Sequence, residues 1–142
     1  YKGQADRERG AKEDAIATWR KALEIEPSFA EAYLNIADLL SEDEARRDEA
    51  DQAFRAAVTA DPRVPFILED AGENRLYAHK DKKGAEKFFR RAMKLDPNRM
   101  AGRFQLGRLL VEQGRLKEAR EVWEGRTTDK DNTFPNFITL LE

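Results

Sequence analysis

Residues 14–27 read DAIATWRKALEIEP, and the same pattern returns at residues 49–62, EADQAFRAAVTADP, and at residues 84–97, GAEKFFRRAMKLDP. The three stretches align without gaps, and each ends on an acidic-Pro pair: Glu26-Pro27, Asp61-Pro62 and Asp96-Pro97, 35 residues apart each time. Ala15, Ala50 and Ala85 share one column, continued by Ala119. Trp19, Phe54, Phe89 and Trp123 form an aromatic column, and Ala22, Ala57 and Ala92 a second small one. Columns that stay in register at this period mark a stack of repeated units, each too small to bury its own apolar face.

Within a unit the apolar residues follow helical spacing. Ala15, Ile16, Trp19, Ala22 and Leu23 fall along one stripe. The helix stops before the proline, which disfavours helical geometry in its predecessor. A second stripe then begins, with Tyr33, Ile36, Ala37 and Leu40 in one copy and Leu106, Gly107 and Leu110 in another. The unit is two antiparallel helices. Ala or Gly lets two helix backbones approach closely, while the aromatic column fills the adjoining space.

Composition agrees. Of 142 residues, 38% are charged and 40% hydrophobic, so the chain is polar but holds enough apolar side chains to fold. Gly and Pro are few, at 8 and 5, which favours helix over strand. With no Cys and one His, thiol nucleophiles, disulfides and His- or Cys-built metal sites are excluded. The charge is uneven. Residues 1–62 carry nine Lys/Arg against fifteen Asp/Glu, and residues 63–142 seventeen against thirteen. No apolar run reaches the roughly 18 residues of a membrane span. A soluble protein is expected, and the lack of Cys suits cytoplasm and periplasm alike. The chain does not begin with Met and is expected to be a piece of something longer.

These columns resemble the tetratricopeptide repeat, whose signature is an aromatic–Leu–Gly–aromatic first helix followed by an Ala…Phe…Ala…Pro second helix. Residues 104–123, FQLGRLLVEQGRLKEAREVW, fit most closely, with Gly114 at the inter-helix turn. The resemblance implies an all-α fold, a right-handed superhelical stack of antiparallel helix hairpins. It divides one domain into a partial repeat at 1–27, repeats at 28–62, 63–97 and 98–131, and a capping helix or truncated fifth repeat at 132–142. Departures accompany it. The middle units have one extra residue between their helices, within SEDEARRDEA and YAHKDKKGA, and the first unit starts partway along its first helix at Tyr1. In the fourth unit Arg126 and Asp131 replace the expected Ala and Pro, so its second helix is expected to stop near Gly125, ahead of a TTDKDNT loop.

No phosphate loop, dinucleotide fingerprint, nucleophile elbow or zinc-protease motif is present. His79 reads as a solvent-facing residue at a helix end that could pair with Asp81. Neighbouring carboxylates such as Glu69 and Asp70 point in different directions on a helix. The expectation is no enzyme, no cofactor and no metal.

Binding is the remaining class. In the resembled family, first helices line a concave groove that takes a peptide. Asn35, Asp70 and Gln105 recur there at the repeat period, with Asp38, Glu73 and Arg108 one turn later. The family's Asn at the position of Asn35 bonds a peptide backbone, and an amide offers both donor and acceptor for this. Leu34, Phe66 and Phe104 add apolar contacts, while Glu69, together with Glu31 and Glu42, makes the first part of the groove acidic. The subfamily that grips chaperone C-terminal carboxylates uses Lys and Arg at sites that here hold Gln4, Asn35, Phe66 and Asp70, so that ligand does not fit. A protein or peptide partner bearing basic residues is expected instead. The alternatives are a self-association module, pairing copies as a homo-oligomer, and an accessory domain of a larger enzyme. The second helix at 82–94 carries Lys83, Lys87, Arg90 and Lys94 as one basic stripe. A solvated face balancing the acidic half explains it; the alternative is contact with an anionic surface, whether nucleic acid, acidic lipid or the acidic half of another copy. Of these, nucleic acid is disfavoured by the net charge of −2 and the lack of interleaved aromatics.

Overall fold

The computed structural model describes residues 2–124. Tyr1 and residues 125–142 lie outside them, and with them the expected end of a helix near Gly125, the loop after it and the C-terminal capping helix. Seven α-helices account for most of the described residues: α1 (Lys2–Ile25), α2 (Ala30–Ser41), α3 (Arg47–Ala60), α4 (Pro65–Tyr77), α5 (Lys82–Leu95), α6 (Met100–Glu112) and α7 (Leu116–Glu124). There is no strand among them. Each helix packs against the one before and the one after, and α4 also meets α6, which is the connectivity of a solenoid. The three acidic-Pro pairs fall directly after α1, α3 and α5.

The small and aromatic columns do what their chemistry requires. A Cβ on Gly72 of α4 would lie 2.6 Å from Phe89 Cε1 of α5, and one on Gly107 of α6 would lie 1.9 Å from Trp123 Nε1 of α7. Each aromatic ring therefore rests on the bare backbone of the preceding helix. Ala37 holds the same position in α2, in one core cluster with Phe54. That cluster runs from Ile16 to Ala92. A second joins Ala85 and Phe89 to Leu106, Leu110, Ala119 and Trp123. Helix α5 contributes to both.

The extra residue of the middle units has two local solutions. After α2 the chain makes a 3-10 turn, Glu44–Arg46, whose N-cap Asp43 accepts a hydrogen bond from the Ala45 N–H. After α4 it passes through Lys80 at φ 55°, the left-handed region that Gly114 occupies at φ 72° after α6.

Helix α1 departs from the expectation. Instead of a partial first helix, a turn and a second helix, residues 2–25 form one unbroken helix. The segment KGQADRERGAKED lacks a large apolar side chain that folding back could bury, and of its two glycines only Gly10 stands in the helix interior, at a cost of about 1 kcal/mol. Lys12 and Glu13 in mid-helix pair with Glu42 and Arg46 beyond α2.

Candidate functional site

Helices α2, α4 and α6 carry the ten expected groove residues, and the structure sorts them into three groups. The first surrounds a depression of about 630 Å³ between the N-terminal ends of α2 and α4. Leu34, Asn35 and Phe66 line it, with Arg63 and with Phe29 and Val64, an apolar pair one repeat period apart. Phe66 is 43% exposed, large for a phenylalanine, whereas Leu34 contributes only an edge of a buried side chain. The side chain of Asn35 is half-buried and has no hydrogen-bond partner among the described residues.

The second group is acidic. Asp38 of α2 and Asp70 and Glu73 of α4 border a depression of about 300 Å³ with Ser41, Phe54, Asn74 and Tyr77. Carboxylates on one helix diverge, as the sequence implies, but Asp38 and Asp70 approach from adjacent helices. Asp70 feels the result: burial first, then the charges of Asp38, Glu73 and Glu69, push its carboxyl up to about 6. Burial and Glu42 raise Asp38 as well. Neither side chain makes a hydrogen bond or ion pair among the described residues. No group of three or more metal-ligating side chains there is arranged to hold a metal ion.

The third group is engaged internally. Gln105 donates to Glu73 Oε1 at 2.8 Å, joining α6 to α4. Arg108 lies over the Phe104 ring at 5.6 Å and 3.7 Å from Glu112. Glu69 corrects the sequence reading outright. It is 4% exposed, and its carboxylate accepts from Arg99 Nε at 2.8 and 2.9 Å and from the Gly102 N–H at 3.0 Å. It therefore caps the first turn of α6 from the neighbouring helix, where negative charge is favoured, and is not open to a ligand. Position along the helix told which face Glu69 occupies but not that Arg99, 30 residues on, would cover it.

Two polar assemblies went unread in the sequence. Asp51, buried in α3, accepts from Asn74 at 3.3 Å, Arg55 at 2.9 Å and Arg75 at 3.1 Å. Arg75 continues to Asp81, which caps α5 through the Gly84 N–H at 2.8 Å. That N–H and Arg75 hold the Asp81 carboxyl below its usual range. One repeat later Glu86 takes the place of Asp51, Arg90 that of Arg55, and Arg115 reaches back at 2.7 Å. His79 is not solvent-facing: its ring is mostly buried, 3.9 Å from Asp48 and not paired with Asp81.

The basic stripe also differs from expectation. Arg90 is neutralised by Glu86 and Glu118, and Lys94 does not line the cavity that Lys83 and Lys87 border. Lys83, Lys87 and Arg91 are exposed, form no ion pair among the described residues, and border a cavity of about 490 Å³ with Arg55, Arg75 and Phe88.

Comparison with known proteins agrees with this architecture. Residues 3–43 match a family described as TPR repeat, and residues 30–64 and 76–141 match families described as tetratricopeptide repeat. The chain belongs to the tetratricopeptide repeat family. The crystal structure of MamA is similar over 98% of this chain and 81% of that one, with TM-score 0.72 and 20% identity. The first TPR of Spaghetti (RPAP3), bound to the HSP90 peptide SRMEEVD, is similar over 80% and 88% with TM-score 0.63 and 19% identity. YrrB, described as a TPR protein with an unusual peptide-binding site, is similar over 85% and 63% with TM-score 0.66 and 27% identity. Among curated proteins, human protein O-mannosyl-transferase TMTC3 is 32% identical over 101 residues. That match takes in 71% of this chain but 11% of the relative, and the mouse protein matches in the same way, so the chain spans about a tenth of either. The fold is that of a protein-interaction scaffold, some of whose structural neighbours bind peptides. No helix among the described residues is long and apolar enough to cross a membrane.

Proposed function

We propose that the face formed by α2 and α4 binds an extended peptide of a partner protein that presents a Lys or Arg side chain. The observation that carries this reading is the juxtaposition of unengaged groups: the Asn35 amide beside exposed Phe66, and the Asp38 and Asp70 carboxylates alongside. The amide can donate to and accept from a peptide backbone, Phe66 offers an apolar seat, and a cation would relieve the crowding that raises Asp70. Glu69 and Gln105 take no part, being held by Arg99 and Glu73. An acidic tail such as the SRMEEVD seen on RPAP3 would meet like charge here.

Peptide-display selection against the chain, counter-screened with Asn35→Ala/Asp70→Ala, tests the proposal. Enrichment of basic sequences that the double variant fails to retain is the expected result. Recovery of acidic or uncharged sequences, or equal retention by the variant, would refute it.

A second reading concerns context. The 32% identity to part of an O-mannosyl-transferase favours an accessory repeat domain of a larger enzyme, in which this groove would select a partner or substrate protein. Self-association, the other alternative, has no comparable support, and sedimentation across a concentration series would reveal it.

A further inference from the structure

A separate feature lies on the side built by α3 and α5. The cavity there is bordered by five cations and one carboxylate, Asp81. Its floor is fixed, because Arg75 is only 20% exposed and is held by Asp51 and Asp81. Its rim is open. Lys83 and Lys87 have no partner among the described residues, and Arg91 makes only a cation–π contact with Phe88, 5.9 Å from the ring centroid. Residues 83, 87 and 91 are four apart and so project from one face of α5. Two of the lysines, Lys82 and Lys83, stand in the first turn of that helix, which contains no acidic residue. The N-terminal end of a helix disfavours cations, and the one carboxylate there, Asp81, is engaged by the Gly84 N–H and Arg75 rather than by these lysines. One repeat later, the equivalent region is closed by Arg90, Glu86, Arg115 and Glu118.

We infer that this cavity is a second docking site, distinct from the groove, for a Glu- or Asp-rich peptide segment of a partner protein. Its carboxylates would pair with Lys83, Lys87 and Arg91, and an apolar part of the segment would lie against Phe88. Among the cations that border the cavity, Arg55 and Arg75 are already paired, so three remain to meet a ligand, and three cations around one cavity fit a short acidic segment better than the continuous track that a phosphodiester backbone needs.

Fluorescence anisotropy with labelled octaglutamate, at low and at physiological salt, tests the inference on the full chain. The variant is Lys83→Glu/Lys87→Glu, two exposed side chains with no partner among the described residues, so the fold stays intact, as circular dichroism would verify. Saturable binding that weakens about tenfold or more in this variant, falls with salt and is unchanged in Asn35→Ala/Asp70→Ala is expected. Absence of saturable binding, or equal affinity in the lysine variant, would overturn the inference. So would tighter binding of labelled oligothymidylate through the same lysines, which would make the patch a nucleic-acid surface. Failure of the groove proposal would leave this result untouched, since the two sites share no residue.

Discussion

At Gly107 an added Cβ would meet the Trp123 indole at 1.9 Å, while at Gly10 it would meet nothing within 4 Å. The same substitution should therefore have opposite signs at the two positions. Gly107→Ala forces a buried ring aside and is expected to cost about 1–3 kcal/mol. Gly10→Ala, in the exposed middle of α1, should stabilise by roughly 0.5–1 kcal/mol through lower backbone entropy in the unfolded chain. Urea denaturation of the two variants beside the wild type checks both. Asp70 carries a pH-dependent prediction. Its folded carboxyl titrates at about 6, above its ordinary 3.8, so between those values the folded state holds more proton than the unfolded one. Stability contributed here is present at low pH and lost as pH rises through 6. Asp70→Asn should raise the melting temperature at pH 7 and flatten that slope between pH 4 and 6. A basic peptide in the groove should bind more weakly at pH 5 than at pH 7, because protonated Asp70 no longer attracts it.

Between elements, one tie that departs from the repeat pattern runs from Glu69 of α4 to Arg99 and the first turn of α6. Arg99→Ala would leave a carboxylate in the core with one backbone donor, and an expected cost of about 2–3 kcal/mol follows from the unpaired charge. Arg99→Lys should recover only part of it, measured by chemical denaturation, because the planar guanidinium is lost. This tie also shows where sequence reading stops. The helices, their order and the Gly–aromatic seams were legible because a 35-residue period repeats each constraint several times. Asn35, Asp38, Asp70 and Phe66 were placed on the groove by the same period. Glu69 was placed there too, yet its burial depends on a single arginine with no equivalent in the other copies. One member of the basic stripe departs for the same reason: spacing puts Arg90 in line with Lys83 and Lys87, but Glu86 and Glu118 neutralise it, and Arg91 beside it borders the cavity instead. Period fixes which face a residue occupies, whereas partners from the next unit decide whether it is free.

Taken whole, the stack has two clusters of buried side chains that meet at α5. Phe89, fully buried and seated on Gly72, belongs to the joint. Phe89→Ala should cost about 3–5 kcal/mol. Because a solenoid is held by nearest-neighbour contacts, the loss should fall unequally, and amide exchange in α6 and α7 should accelerate ahead of that in α2 and α3. Uniform acceleration along the chain would contradict this division. The bare-backbone seams at Gly72–Phe89 and Gly107–Trp123 have a consequence for growth. Each closes one hairpin from within, so a duplicate of residues 63–97 spliced in after residue 97 would carry its own seam with it. Length is then an adjustable quantity in this architecture, provided that the copied Val64, which would face the upstream Glu69 in place of Arg99, is changed to arginine.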